Sequence, residues 1–123
     1  MLSEQQAQTF AKDWIESWNS HDLDRILTHY SDDFEITTPM IKTFLGIETG
    51  TLKGKQNIKE YWAEALEKLP DLYLELVDVV ISIESIALYY KTVMGKMAIE
   101  VMFFDSSGNI NKAIAHYTLD IQR

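Results

Sequence analysis

Two runs of strand-forming residues, 97–104 and 110–120, flank the segment Asp105-Ser106-Ser107-Gly108-Asn109. β-branched, aromatic and Met side chains dominate both runs, and the segment between them is turn-forming, so the pattern predicts a hairpin. Gly108 supplies the left-handed backbone such a loop uses, and arms of about eight residues reach across the middle of a sheet. In the first arm Ala98, Glu100, Met102 and Phe104 share one face, while Ile99, Val101 and Phe103 share the other. Both faces are mostly apolar and both need cover: helices on one, a second copy of the chain on the other. Glu100 is the one charge in its row. A slip of one residue would turn it to solvent, so function depends on where that carboxyl points.

With 123 residues, the chain is read as one domain over 1–123. A domain of that size buries roughly two-thirds of its unfolded surface. An apolar fraction of 46% and a charged fraction of 24% are those of an ordinary globular protein. The net charge of −8 and the lack of any Lys/Arg cluster argue against a nucleic-acid or anionic-membrane partner, since phosphate binding draws on clustered cations. The absence of Cys excludes disulfides, thiolate nucleophiles and Cys-ligated metals. A polar beginning and the lack of any apolar run near ~18 residues predict a soluble, cytoplasmic protein with no membrane span.

In chain order, Ser3 and Gln6 form a capping box, and Ala7, Phe10, Ala11, Trp14, Ile15 and Trp18 recur at helical spacing to about Asn19. Asp22 caps a short second helix with Leu23, Ile26, Leu27 and Tyr30 on its apolar face. Residues 31–33 turn the chain into a strand over 34–38 that Pro39 ends. Residues 40–54 read as a glycine-punctuated loop with a short strand near 49–52. Ile58, Tyr61, Trp62, Ala65, Leu66 and Leu69 mark a third helix, stopped by Pro70. Strands follow over 72–83, with a bulge near 78–80, and over 86–93, with a turn at 94–96 before the hairpin. Helices first and antiparallel strands afterwards predict an α+β fold with helices on one face of a curved sheet.

Several motifs carry no chemistry. Gly50-Thr51-Leu52-Lys53-Gly54-Lys55 has three residues between its glycines where a phosphate loop needs four, and Gln56 follows in place of Ser or Thr. His21, His29 and His116 fall in a turn, a helix end and a strand, without spacing that converges on a metal ion. No metal and no cofactor is expected, and neither a nucleophilic Ser nor a dinucleotide motif is present. The aromatic set Phe10, Trp14, Trp18, Tyr30, Tyr61 and Trp62 serves either as core or as the wall of a small-molecule cavity.

Four stretches stand out together: Trp18-Asn19-Ser20-His21-Asp22-Leu23-Asp24, Tyr30-Ser31-Asp32-Asp33 before the strand ended by Pro39, Gly54-Lys55-Gln56-Asn57-Ile58, and residues 104–110 of the hairpin. In these the chain resembles the nuclear-transport-factor-2-like superfamily, which includes the SnoaL-like polyketide cyclases and the ketosteroid isomerases. The likeness implies a cone-shaped curved sheet, antiparallel or mixed, with three helices on its concave face: a cystatin-like α+β roll whose outer sheet face pairs two subunits. It also places Glu100 where the isomerases carry an acid that donates to an oxyanion, a system known as an example of a carboxyl kept neutral by an apolar site. Tyr30 matches a hydroxyl of the isomerase network, whereas two further Tyr donors correspond here to Trp14 and Trp62. The isomerases' general base, an Asp immediately before the Pro, is replaced by Thr38. A Thr alkoxide is inaccessible near neutral pH, so steroid isomerase activity is not expected.

The resemblance thus implies a pocket formed by Trp14, Trp18, Tyr30, Thr38, Met40, Trp62, Leu66, Glu100, Met102, Ala113 and Tyr117, with Glu100 and Tyr30 as the candidate catalytic pair. His116 has the opposite parity from Ala113, Ala115 and Tyr117 and belongs to the outer face. Three readings follow: a pocket protein binding a small, mostly apolar molecule; an acid–base enzyme of isomerase, cyclase or hydratase type; or a dimeric assembly module without ligand. An enzyme requires Glu100 to be shifted upward with a hydroxyl in reach, a binder a cavity of about 300 Å3 or more, and an assembly module a filled cone.

Overall fold

A computed structural model describes residues 2–92 and 95–119. Helix α1 (Glu4–Ser20) begins at Ser3, whose hydroxyl accepts from Gln6 N while the Gln6 side chain accepts from Ser3 N. This is the capping box read in the sequence. Asp22 caps α2 (Leu23–Leu27) through Arg25 N. Strand β1 spans Tyr30–Thr37, α3 Pro39–Leu45, β2 Thr51–Lys53 and α4 Lys55–Lys68. Four strands follow among the described residues: β3 (Glu75–Ile81), β4 (Ser85–Lys91), β5 (Met97–Phe104) and β6 (Ile110–Tyr117).

The strands form one curved open sheet in the order β2-β1-β6-β5-β4-β3. Its pairings are antiparallel except for β1 against β6, which is parallel, so the sheet is mixed. On its inner face lie Leu88 and Tyr90 of β4, Ala98, Glu100 and Met102 of β5, and Ala113, Ala115 and Tyr117 of β6, a parity fixed by the observed registers. Helix α1 packs against β3, and α4 against β1. Asn19 ties the end of α1 to the start of β3, its side chain donating to Leu74 O at 2.9 Å and accepting from Leu74 N at 2.7 Å. That clamp fixes the indoles of Trp14 and Trp18, one helical turn apart, over the sheet.

Several expected boundaries move. Tyr30 belongs to β1 rather than to α2, because its backbone pairs with Ile110. Residues 31–33 are not a turn but an irregular part of β1, where the register shifts between Tyr30 and Glu35. Three helices were expected, and four are found among the described residues. Helix α3 lies in the stretch read as loop, where Thr38 accepts from Met40 N, Pro39 begins the helix and Gly46 closes it at φ 70°. The bulge of β3 falls between Leu76 and Asp78, slightly before the expected place. The last strand ends at Tyr117; Asp120, Val93 and Met94, which figure in the expected strand ends and turn, lie outside the described residues. Among the described residues no helix is long and apolar enough to cross a membrane.

Candidate functional site

Between the inner sheet face and helices α1, α3 and α4 lies a cavity of about 210 Å3. Its walls are mainly hydrocarbon and aromatic. Of the residues expected there, Trp14 and Trp18 enter from α1, Tyr30 from β1, and Thr38 and Met40 from the start of α3. Trp62 of α4, Glu100 of β5 and Tyr117 of β6 complete that group. The chamber is smaller than the 300 Å3 set out for a binder, and it suits a ligand of modest size.

Three expected residues do not line it. Met102 and Ala113 share Glu100's sheet face and pair with each other across β5 and β6, but both are buried in the core further along the strands. Leu66 packs against that core from α4, while Tyr61, Ala65 and Leu69 turn toward the cavity instead. Parity identified the face correctly. It could not say where the chamber stops and packed core begins.

Glu100 carries the principal electrostatic feature. The residue is half-buried and lines the cavity. Burial raises its pKa from 4.5 to about 7, opposed by a hydrogen bond from Tyr90. The Tyr90 hydroxyl donates to Glu100 Oε1 at 2.9 Å. Sequence reading missed Tyr90, although the alternation of Ile86, Leu88 and Tyr90 already put it on an inward face. Its partnership with Glu100 depends on the β4–β5 register, which no local pattern prints.

The remaining hydroxyls are held neutral. Tyr30 accepts from Trp14 Nε1 at 2.9 Å, and burial, followed by the Glu100 charge, drives its pKa far upward. Burial and then Glu100 do the same to Tyr117, with the neighbouring Thr38 and Tyr90 hydroxyls working against the shift. Tyr61, nearer the mouth, is pushed up to about 12 by burial. Thr38 stands in the chamber wall, but its hydroxyl also caps α3, and it is no base. Chemically the arrangement offers one carboxyl able to hold or release a proton near neutrality, set among neutral donors.

The histidines lie elsewhere. His21 Nε2 contacts Leu72 O at 2.8 Å and His29 sits beside Asp13. The exposed His116 places Nδ1 3.3 Å from Ile99 O on the outer face. Among the described residues no cluster of three or more His, Asp or Glu could hold a metal ion.

A SnoaL-like domain model matches residues 11–120. The chain belongs to the SnoaL-like family. A SnoaL-like protein of unknown function from Burkholderia thailandensis shares 41% identity with it, at a TM-score of 0.93 over 95% of this chain and 98% of that one. A putative isomerase of the SnoaL-like family from Agrobacterium tumefaciens is 15% identical at TM-score 0.74, over 94% of this chain and 99% of that one. An epoxide hydrolase/cyclase-like enzyme described in pyran ring formation in salinomycin is 15% identical at TM-score 0.74, covering 97% and 95%. The last two likenesses establish the SnoaL-like fold and nothing finer. No match is found among curated proteins.

Proposed function

We propose that this SnoaL-like chain binds a small, mostly apolar molecule in the chamber beneath α1, α3 and α4, and that Glu100 meets the ligand's polar atom. The observation carrying this reading is the placement of one carboxyl, raised to about 7, inside a mainly apolar cavity of about 210 Å3. Burying an ionisable group costs stability, and a ligand that hydrogen-bonds it recovers part of that cost. Steroid isomerase chemistry is not part of the proposal, because Thr38 occupies the position of the base.

A second reading, acid–base catalysis of isomerase, cyclase or hydratase type, draws on the same carboxyl. A group with a pKa near 7 is present in both protonation states at neutral pH, and Tyr90 is in hydrogen-bond reach. The putative isomerase and the cyclase-like enzyme among its structural neighbours agree in kind with that chemistry.

The test is a thermal-shift screen of small apolar ketones, lactones and phenols against the wild type, Glu100→Gln and Ala65→Phe. The last variant fills the chamber from α4. Binding lost in Ala65→Phe and weakened in Glu100→Gln supports the pocket reading. Ligands that shift all three proteins equally would place binding elsewhere. A hit that the wild type converts, and Glu100→Gln does not, selects the catalytic reading.

The outer sheet face is proposed as the pairing surface of a homodimer. Across it Tyr89, Ile99 and His116 lie in one row and Ala87, Val101 and Ile114 in the next. Ile99 is 42% exposed and Phe103 36%, so the patch is apolar and uncovered in the single chain.

A further inference from the structure

Among the described residues the buried indole N–H of Trp18 has no hydrogen-bond partner, and its ring lines the cavity. Trp14, one turn earlier, differs in this respect, since its N–H is taken up by the Tyr30 hydroxyl at 2.9 Å. Trp18's N–H lies near that same hydroxyl and favours its ionised form, but the contact falls short of hydrogen-bond distance and angle. Tyr30 accepts from Trp14 and finds no acceptor for its own hydrogen among the described residues. Two neighbouring donors, one N–H and one O–H, are therefore left unused at the chamber wall.

From this geometry we infer that Trp18 Nε1 and the Tyr30 hydroxyl form a second polar subsite that receives an acceptor oxygen of the ligand, a ketone carbonyl by class. The inference rests on the pocket reading above and narrows it. An indole N–H donates and never accepts, and Tyr30 has already accepted once, so a ligand group that only donates has no place here. An aliphatic amine or a hydrocarbon end would leave both donors unpaired in an apolar enclosure. The ring of Trp18 is fixed by neighbours on both sides, its centroid 6.2 Å from Trp14 and 4.9 Å from Trp62, so its donor is pre-aimed and little ordering is needed on binding. Burial holds Tyr30 in its neutral, donating form across the physiological range. Trp18 acts in recognition and orientation, and no proton leaves it.

The experiment uses two probes of matched shape, β-acetylnaphthalene and β-isopropylnaphthalene, which differ in the acceptor oxygen. Their affinities for the full chain are compared by titration calorimetry in wild type and Trp18→Phe. The ketone is expected to bind about fivefold more tightly than the hydrocarbon, and Trp18→Phe to remove about that factor from the ketone alone. A second readout needs no variant to fold: with three Trp in the chain, the indole N–H signals of 15N-labelled protein are few enough to follow. The Trp18 signal should move downfield with the ketone and not with the hydrocarbon. Equal binding of both probes with an unmoved Trp18 signal overturns this subsite and leaves the pocket reading standing. Failure of both probes to bind the folded wild type overturns the subsite and the pocket reading together.

Discussion

The Tyr90 hydroxyl donates a 2.9 Å hydrogen bond to Glu100 Oε1 between adjacent strands β4 and β5. The two residues are diagonal neighbours, since Leu88 pairs with Glu100 and Tyr90 with Ala98. A donor stabilises the carboxylate, while burial favours the acid, and burial wins. Tyr90→Phe removes only the opposing effect. The Glu100 midpoint should therefore rise further above about 7, as read by carboxyl 13C shifts in a pH titration. A midpoint that falls would show that Tyr90 does not act through this bond.

The same shift couples stability to pH. Between 4.5 and about 7 the folded protein holds a proton at Glu100 that the unfolded chain has released. Protons bound in the native state exceed those in the unfolded state over that window, so stability falls as pH rises through it. The contribution is whole below the unfolded value and gone above the folded one, a span on the order of 3 kcal/mol. Glu100→Gln lacks this slope. Urea denaturation at a series of pH values should show the variant gaining on wild type from pH about 4.5 to about 7 and holding a constant lead above that.

Gly50 adopts φ 65°, and a Cβ there would meet Thr38 O at 2.9 Å. Its own carbonyl accepts from Thr38 N at 2.9 Å, so the two backbones are held in contact where α3 starts. Gly50→Ala is expected to cost about 1–3 kcal/mol in chemical denaturation. It should also weaken ligand binding, because Thr38 and Met40 of the chamber wall shift with the strained contact.

Thr38→Asp keeps a side chain able to cap α3 and adds a carboxylate to the chamber wall. On a β,γ-unsaturated cyclic ketone the variant should accelerate conjugation at least about a hundredfold over wild type, followed by the enone absorbance. A folded variant that binds the ketone but leaves it unconverted would mean that the Thr38–Glu100 geometry does not span the two ends of the reacting system.

Ile99→Lys combined with Phe103→Lys places cations in the middle of the outer face. Wild type is expected to sediment as a dimer at micromolar concentration, and the double variant to dissociate about a hundredfold more readily. A monomeric wild type would remove the pairing surface from the proposal.

How much of this was legible depends on the range of the signal. The Ser3 and Gln6 box, the Asp22 cap and the breaks at Pro39 and Pro70 are local chemistry, and each is found where the residues put it. The α3 signal was local too: Thr38 before Pro39 with Gly46 beyond is a capped start and stop. Gly46, Gly50 and Gly54 in the same stretch favour the loop reading. For Tyr30 the three-to-four-residue spacing continues from α2, while the competing pull, pairing with Ile110, comes from the far end of the chain.

Local signals along the chain carry the α+β architecture and the grouping of Glu100 with Ala98 and Met102 on one face of β5, because strand alternation and helix capping act over a few residues. Tertiary structure alone decided that Tyr90 meets Glu100, that Met102 and Ala113 are core rather than cavity, and that Trp18 keeps an unspent donor. Those facts depend on what stands opposite a side chain, and what stands opposite is set by register and helix placement between residues far apart in the chain.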